Sequence, residues 1–331
     1  TINAATAWHW LAASLSELAA LPNVRLMTRT TAIGYYHQNM LALCQRLTDH
    51  LAEPPRAAPR ERLWRVRANQ VVLAQGAIER PLVFDGNDRP GVMMAGAAQT
   101  FLGRFGVKVG NRPAVLTSHD SAWFTAFDLA DAGCAVPAIV DTRHDVFPAL
   151  LKEATARRIE TLIGHTVTTT KGRLRVRSVH ASPVRDGQVG RGRAIACDAL
   201  LMCGGWTPSL HLFSHTKGSL AWDAETDAYV PGHSTEAVHI AGAGRGLWGV
   251  ARSLEDGAKA GAGAIRDLGR KADAATFVVG GDRPGTGVTH KELPTDRIAG
   301  KARAFVDFQN DVTAKDIRLA TREGMRSIEH V

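Results

Sequence analysis

Val71-Val72-Leu73-Ala74-Gln75-Gly76-Ala77, followed by Glu79-Arg80-Pro81 and closed by Asn87-Asp88-Arg89-Pro90-Gly91, is the stretch on which the fold turns. A short continuous apolar run ended by a glycine is the pattern of a strand buried on both faces of a parallel sheet. Ala74 and Gly76 are small where that strand ends, so a ligand or another backbone can approach to contact distance. The pattern recurs at Ala199-Leu200-Leu201-Met202-Cys203-Gly204-Gly205-Trp206-Thr207-Pro208. It recurs again at Val238-His239-Ile240-Ala241-Gly242-Ala243-Gly244, which runs into a helical stretch over 247–268. Repeated strand-then-glycine is the sign of tandem dinucleotide-type domains, and the helix N-terminus after the last copy is expected to face a ligand phosphate or ring.

The rest of the chain fits around these strands. Trp8, Leu11, Leu15, Leu18 and Leu21 recur at helical spacing over 5–21, a strand begins at 24–27, and 30–43 reads as strand, turn, strand. The proline-, arginine- and alanine-rich run 52–61 joins this to the alternating stretch 63–67. Together they make half of a dinucleotide-binding fold whose opening βαβ unit and glycine fingerprint do not appear before residue 71. A helix over 95–105 leads to a strand at 112–117, the turn Ser118-His119-Asp120-Ser121, and a helix bearing Trp123, Phe127 and Ala130 with Asp120 as its expected N-cap. The next strand, 135–140, ends on Asp141, at the distance of roughly twenty residues where dinucleotide folds place their ribose carboxylate. The turn lacks glycines, and a side chain at Ser118 or Asp120 would crowd a pyrophosphate, so this unit is expected to keep the fold with weakened or altered binding.

A helix over 146–156 and strands at 158–163, 166–170, 174–179 and 194–196 follow, the last two joined by the glycine-rich turn 186–192. Gly244, Gly246 and Gly249 match G-x-G-x-x-G literally, but the strand candidate after the following helix, 276–279, carries no acid at its end, so the match is not taken as a fingerprint. Residues 271–298 look like an exposed linker. Residues 304–313 lead into a helix begun by a capping box of Thr313 and Asp316. The expected architecture is α/β: tandem dinucleotide-binding domains with a small α-rich C-terminal tail. Residues 1–105 and 211–270 would form the first domain, 106–210 the insertion, and 271–331 the linker and tail.

The 331 residues are enough for two domains. Net charge is +8 but scattered, and with aromatics at 6% the interleaving of a nucleic-acid groove is missing. Basic residues alternate with Leu174 and Val176 over 171–177, as in a half-buried strand. No apolar run reaches membrane-spanning length. Cys44, Cys134, Cys197 and Cys203 have no C-x-x-C spacing, which argues against zinc, iron–sulfur and dithiol chemistry and fits a reducing, cytoplasmic setting. The chain begins at Thr1 rather than methionine, and is expected to be a piece of something longer.

Gly34-Tyr35-Tyr36, the run 72–81, residues 87–91, Gly205-Trp206-Thr207-Pro208 and the run 305–316 together closely resemble the alpha subunit of heterotetrameric sarcosine oxidase. The resemblance covers essentially the whole chain, loops as well as strands, and implies a central piece of a subunit roughly three times as long. It implies an NAD-holding module of tandem FAD/NAD(P)-binding, disulfide-reductase-like domains, the second inserted in the first. In that family sarcosine is oxidised at FAD on the beta subunit, and electrons pass through FMN at the alpha–beta interface to oxygen. The methylene group goes to tetrahydrofolate on a domain beyond Val331, and gamma and delta subunits complete the assembly. Carried over by position, Ala74, Gly76, Gly242, Ala243 and Gly244 would line the dinucleotide cleft of the split first domain. Flavoproteins of this type usually carry an aspartate near Ala243, and its absence fits a chain that no longer binds FAD there. Glu79, Arg80, Ser118 and Asp141 are the remaining candidates for cofactor or interface contacts, with ordinary structural bonds as the alternative. Related opine oxidase and hydrogen cyanide synthase subunits place a Cys-x-Cys iron–sulfur motif where this chain has Phe308-Gln309-Asn310, so no cluster is expected. A different amine as substrate, or a non-catalytic nucleotide scaffold, are the competing readings.

Overall fold

The strands Pro113–Thr117 and Ala199–Cys203 are buried at every residue, because each is covered on both faces. In the computed structural model, which describes residues 1–283, 285–290, 292–295 and 303–329, they lie at the centre of a five-stranded parallel sheet. Its order is Val92–Met94, Ala199–Cys203, Pro113–Thr117, Ala138–Asp141, Glu160–Ile163. Alternate residues feed opposite layers, as the two-residue period of a strand requires. Val115, Ile139, Leu201 and Cys203 pack with Trp123, Phe127 and Leu129 of the helix Ser121–Asp131 and with Leu150 of Pro148–Ala156. Leu116, Val140, Leu200 and Met202 pack on the other side against Val167, Val179, Ala181 and Ile195, from the antiparallel strands His165–Lys171, Ser178–Arg185 and Arg193–Ala196.

That sheet belongs to the second of two compact units, Glu79–Trp206 with Gly285–Val331; the first is Thr1–Ile78 with Thr207–Pro284. Residues 79–105, expected with the first domain, lie in the second unit. The cause is the register of Val92–Met94 on Leu200–Met202 and the packing of Ala95 and Ala98, from the helix Ala95–Phe105, into the helical core.

The first unit holds a two-stranded parallel sheet, Val71–Leu73 beside Val238–Ile240, and an antiparallel sheet of Thr30–Tyr36, Met40–Arg46 and Glu61–Arg67. Buried Tyr35 donates to Asn39 Oδ1 (2.6 Å), fixing the turn between the first two arms. The helix Ala7–Ala20 forms where its spacing predicts, and Thr6 Oγ1 accepts from His9 N, yet none of its residues is buried.

Three expectations need correction. Residues 271–298 are not simply an exposed linker, although positions 284, 291 and 296–298 of that stretch lie outside the described residues. Backbone bonds tie Gly280 N to Thr1 O and Asn3 N to Val278 O in the first unit, while Leu293, 2% exposed, donates its amide to Val83 O in the second. The candidate strand at 276–279 is reduced to a single bridge at Val279. The strand placed at 174–179 begins only at Ser178. Leu174 is exposed in the preceding turn, and Val176 is buried, its amide bonded to Pro90 O. The C-terminal hairpin Phe305–Asp307/Val312–Thr313 and the helix Ala314–Arg322 carry the expected capping box of Thr313 and Asp316.

Candidate functional site

In the first unit the parallel register sets Val238 beside Val71 and Ile240 beside Leu73, and Ala241 N continues the ladder to Leu73 O (2.9 Å). The two strands therefore end side by side. This brings Ala74 and Gly76 to the same sheet edge as Gly242, Ala243 and Gly244. A Cβ added to Gly244 would sit 3.8 Å from Gly76 O and 3.2 Å from Ile240 Cγ2, so the backbones are in near contact where the sequence placed its smallest residues.

The second of these strands enters a one-turn 3-10 helix, Gly242–Arg245, and then the helix Val250–Asp267. Asp256, 7% exposed, braces this turn from the helix: one carboxylate oxygen accepts from Gly242 N (2.8 Å), the other from Arg245 (2.6 Å). Nothing in the sequence pattern singled out Asp256, whose partners lie more than two helical turns away. Beside the turn lies a cavity of about 600 Å³ lined by Ala243, Leu247, Trp248, Gly249, Ser253 and Asp282 among others. The helix N-terminus does present its amides, as expected, but to the protein's own anion: Val250 N and Ala251 N donate to the two oxygens of Asp282 (2.8 and 3.1 Å). A carboxylate at this position is the side-chain equivalent of a phosphate.

In the second unit, parallel pairing sets the tips of Pro113–Thr117 and Ala199–Cys203 side by side, with Ser118 N donating to Cys203 O (3.0 Å). Asp120 is not the side-chain N-cap the spacing suggested: it has helical backbone angles and makes no capping bond. Its carboxylate is drawn to Arg143 instead (2.7 Å). Asp141, fully buried, accepts four bonds: from Arg143 Nη2 (2.7 Å), Nε (3.0 Å) and backbone N (2.9 Å), and from Trp123 Nε1 (2.8 Å). Four donors saturate a carboxylate, so the position expected to hold a ribose is committed to an internal ion pair. Burial alone would depress the Arg143 guanidinium, but its bonds to Asp141 and Asp120 more than offset this and hold it charged.

His119 completes the tip. Burial pushes its pKa down to about 4, with opposed smaller effects from Asp120 and Arg143. The ring is thus neutral at pH 7, and Nδ1 accepts from Ser121 N (3.1 Å) while lying 2.9 Å from Ser121 Oγ. Ser121 Oγ also accepts from Trp206 Nε1 (3.0 Å) and lies 3.5 Å from Cys203 Sγ. Glu79 Oε2 accepts from Gly96 N (2.8 Å) at the start of the helix Ala95–Phe105, an anion at a helix N-terminus. Burial pushes the Glu79 carboxyl up, while the Cys203 thiol and the Gly96 amide pull it back. Burial, then the Glu79 charge, push the Cys203 thiol up to about 12, which leaves it unreactive as a nucleophile at neutral pH. Arg80 exchanges backbone bonds with the Gly204-Gly205 turn and donates through its side chain to Thr289 Oγ1 (2.6 Å). Glu79 and Arg80 are therefore anchored in the second unit. Among the described residues, no group of three or more His, Cys, Asp or Glu side chains is arranged to hold a metal, and no helix is long and apolar enough to cross a membrane.

This geometry, parallel strands ending in small-residue turns beside helix N-termini, defines the class of FAD/NAD(P)-binding oxidoreductase folds. L-proline dehydrogenase from P. horikoshii has the same fold, with a TM-score of 0.53 at 20% identity over 79% of this chain and 46% of that one. In sequence the chain belongs to the sarcosine oxidase alpha-subunit family. It is 39% identical over 330 residues to the sarcosine oxidase alpha chain of Rhizobium meliloti (strain 1021), covering 99% of this chain and 32% of that protein. The family model of the sarcosine oxidase A3 domain matches residues 301–331. The opine oxidase A chain of Agrobacterium tumefaciens (strain Ach5) is 31% identical over 224 residues, 61% of this chain and 44% of that one. The chain thus spans about a third of the length of the sarcosine oxidase relative.

Proposed function

We propose that this chain is the central, NAD-holding region of a sarcosine oxidase alpha subunit, an oxidoreductase component that meets FMN at the interface with its beta partner. The complete assembly, with beta, gamma and delta subunits, would demethylate sarcosine to glycine at FAD on the beta subunit. It would pass the methylene group to tetrahydrofolate on a later domain and reduce oxygen to hydrogen peroxide. The observation that carries this reading is the 39% identity along 99% of the chain. NAD would lie in the first unit, against the 74–76 and 242–244 turns, whose glycines let a backbone come close. NAD supplies a pyrophosphate and ribose hydroxyls to be held; the residues of this chain would bind and orient them. On this reading the second unit is an insertion in the first. The four cysteines, all free, support a cytoplasmic setting.

An opine-type amine is the second reading, motivated by the 31% identity to an opine oxidase subunit. Residues 308–310 weigh against it. Asp307 accepts from Gln309 N, Asn310 N and Asn310 Nδ2, closing the loop with oxygen and nitrogen chemistry and no thiol. The deciding experiment takes the full-length alpha chain in complex with its partners and assays peroxide release and tetrahydrofolate methylenation. Sarcosine-dependent turnover of both supports the proposal; turnover of an opine but not sarcosine overturns it.

A further inference from the structure

The second unit's sheet order places a topological switch between Pro113–Thr117 and Ala199–Cys203: successive strands leave Pro113–Thr117 towards Glu160–Ile163 on one side, and Ala199–Cys203 enters on the other. In open parallel sheets the crevice at the carboxyl ends of such a pair is where a nucleotide lies. We propose that in this protein the crevice is filled by the chain's own strap, residues 285–290, so that the second unit takes no dinucleotide.

The strap bonds to the loops that follow Pro113–Thr117 and Ala138–Asp141 and to Arg80. Thr286 O accepts from Asp120 N (2.9 Å) and Arg143 Nη1 (3.1 Å), and Thr286 returns two bonds, from N and Oγ1, to Asp120 Oδ2 (3.0 Å each). Val288 N donates to Ser118 O (2.9 Å), and Gly287 forms an antiparallel bridge with His119. Thr289 accepts from Arg80, and His290 Nε2 lies 2.8 Å from Thr142 Oγ1 just past the Ala138–Asp141 strand. Two glycines make this approach possible. A Cβ at Gly285 would fall 2.6 Å from His119 Cε1, and one at Gly287 would fall 2.4 Å from His119 Cδ2 and 2.7 Å from Ser118 O. The chemistry of the crevice suits a peptide and not a phosphate. Asp120 and Asp141 balance Arg143 and Arg80, so the site carries no net positive charge for a pyrophosphate, and it offers both acceptors and donors, which a peptide satisfies and a pyrophosphate does not.

This deepens the reading that NAD lies in the first unit, and its test is separable from that reading. Hydrogen–deuterium exchange would be followed in the full-length protein within its complex, with and without saturating NAD. Wild type is expected to show slow exchange at 117–121 and 285–290, unchanged by NAD. Gly287→Val is expected to speed exchange about tenfold or more in both segments, through loss of the bonds that lock them together, while 238–250 stays as in wild type. Thr286→Val, which deletes only one hydroxyl bond, is expected to give a smaller rise in the same two segments and serves if the glycine variant fails to assemble. NAD-dependent slowing at 117–121, NAD-dependent release of 285–290, or variants that leave both segments unchanged would overturn the strap. NAD that fails to protect 74–77 and 241–251 would overturn the nucleotide assignment of the first unit and leave the strap standing.

Discussion

His119 shows how a single residue can record the state of the second unit. The residue is 6% exposed, and burial holds its pKa at about 4 against an ordinary value of 6.5. As pH falls below 6.5 the unfolded chain gains a proton that the folded chain refuses until about pH 4. Stability therefore declines through that window, by an amount on the order of 3 kcal/mol when complete. Above pH 6.5 the residue contributes no pH dependence. The unfolding midpoint of the second unit, followed in the full-length protein, should drop between pH 6.5 and 4, and His119→Gln should flatten that slope. An equally steep slope in the variant would place the titration elsewhere. Residues of this kind were only partly visible in the sequence. Asp141 stood out because of its place at a strand end. Its partner Arg143 and the competing acid Asp120 could be assigned only when the fold had brought three side chains from two loops together.

The central strands carry the stability of the second unit. Leu116 is fully buried between the sheet and its antiparallel cover. Leu116→Ala should cost roughly 2–5 kcal/mol, the transfer loss plus the cavity it leaves, measured as a lower denaturant midpoint with unchanged slope. A loss under about 1 kcal/mol would mean that the strand is covered on one face only. This strand was readable in advance, because an element buried on both faces is apolar along nearly its whole length. Ala199–Cys203 was found for the same reason, with a glycine marking its end; Val71–Leu73 and Val238–Ile240 form where the pattern put them but are not covered on both faces, Val72 being 42% exposed and residues 238–240 only half-buried. The stretches that misled were those ordered by backbone partners alone. Residues 172–177 alternate like a strand but turn at a hairpin tip. Residues 276–280 and 285–290 fall within 271–298, a stretch whose glycine, proline and charge read as linker, while their order comes from amides and carbonyls that composition does not report.

For the whole molecule, the fold was readable because the strand-then-glycine pattern recurs, and the family because its residues persist through loops. That the second unit would hold a dinucleotide less well was read from its glycine-free turn, but the ion pair and the strap that set it apart were not. One unit ends in paired small-residue turns with a braced backbone, and the other ends in an ion pair overlaid by a strap. On this account only the first has kept a place for a nucleotide. The most direct measurement is an experimental density map of the full-length complex purified with its bound nucleotide. The account predicts one dinucleotide per alpha chain, lying against residues 74–76 and 242–244. Density for a dinucleotide against residues 118–121, with 285–290 displaced, would contradict it.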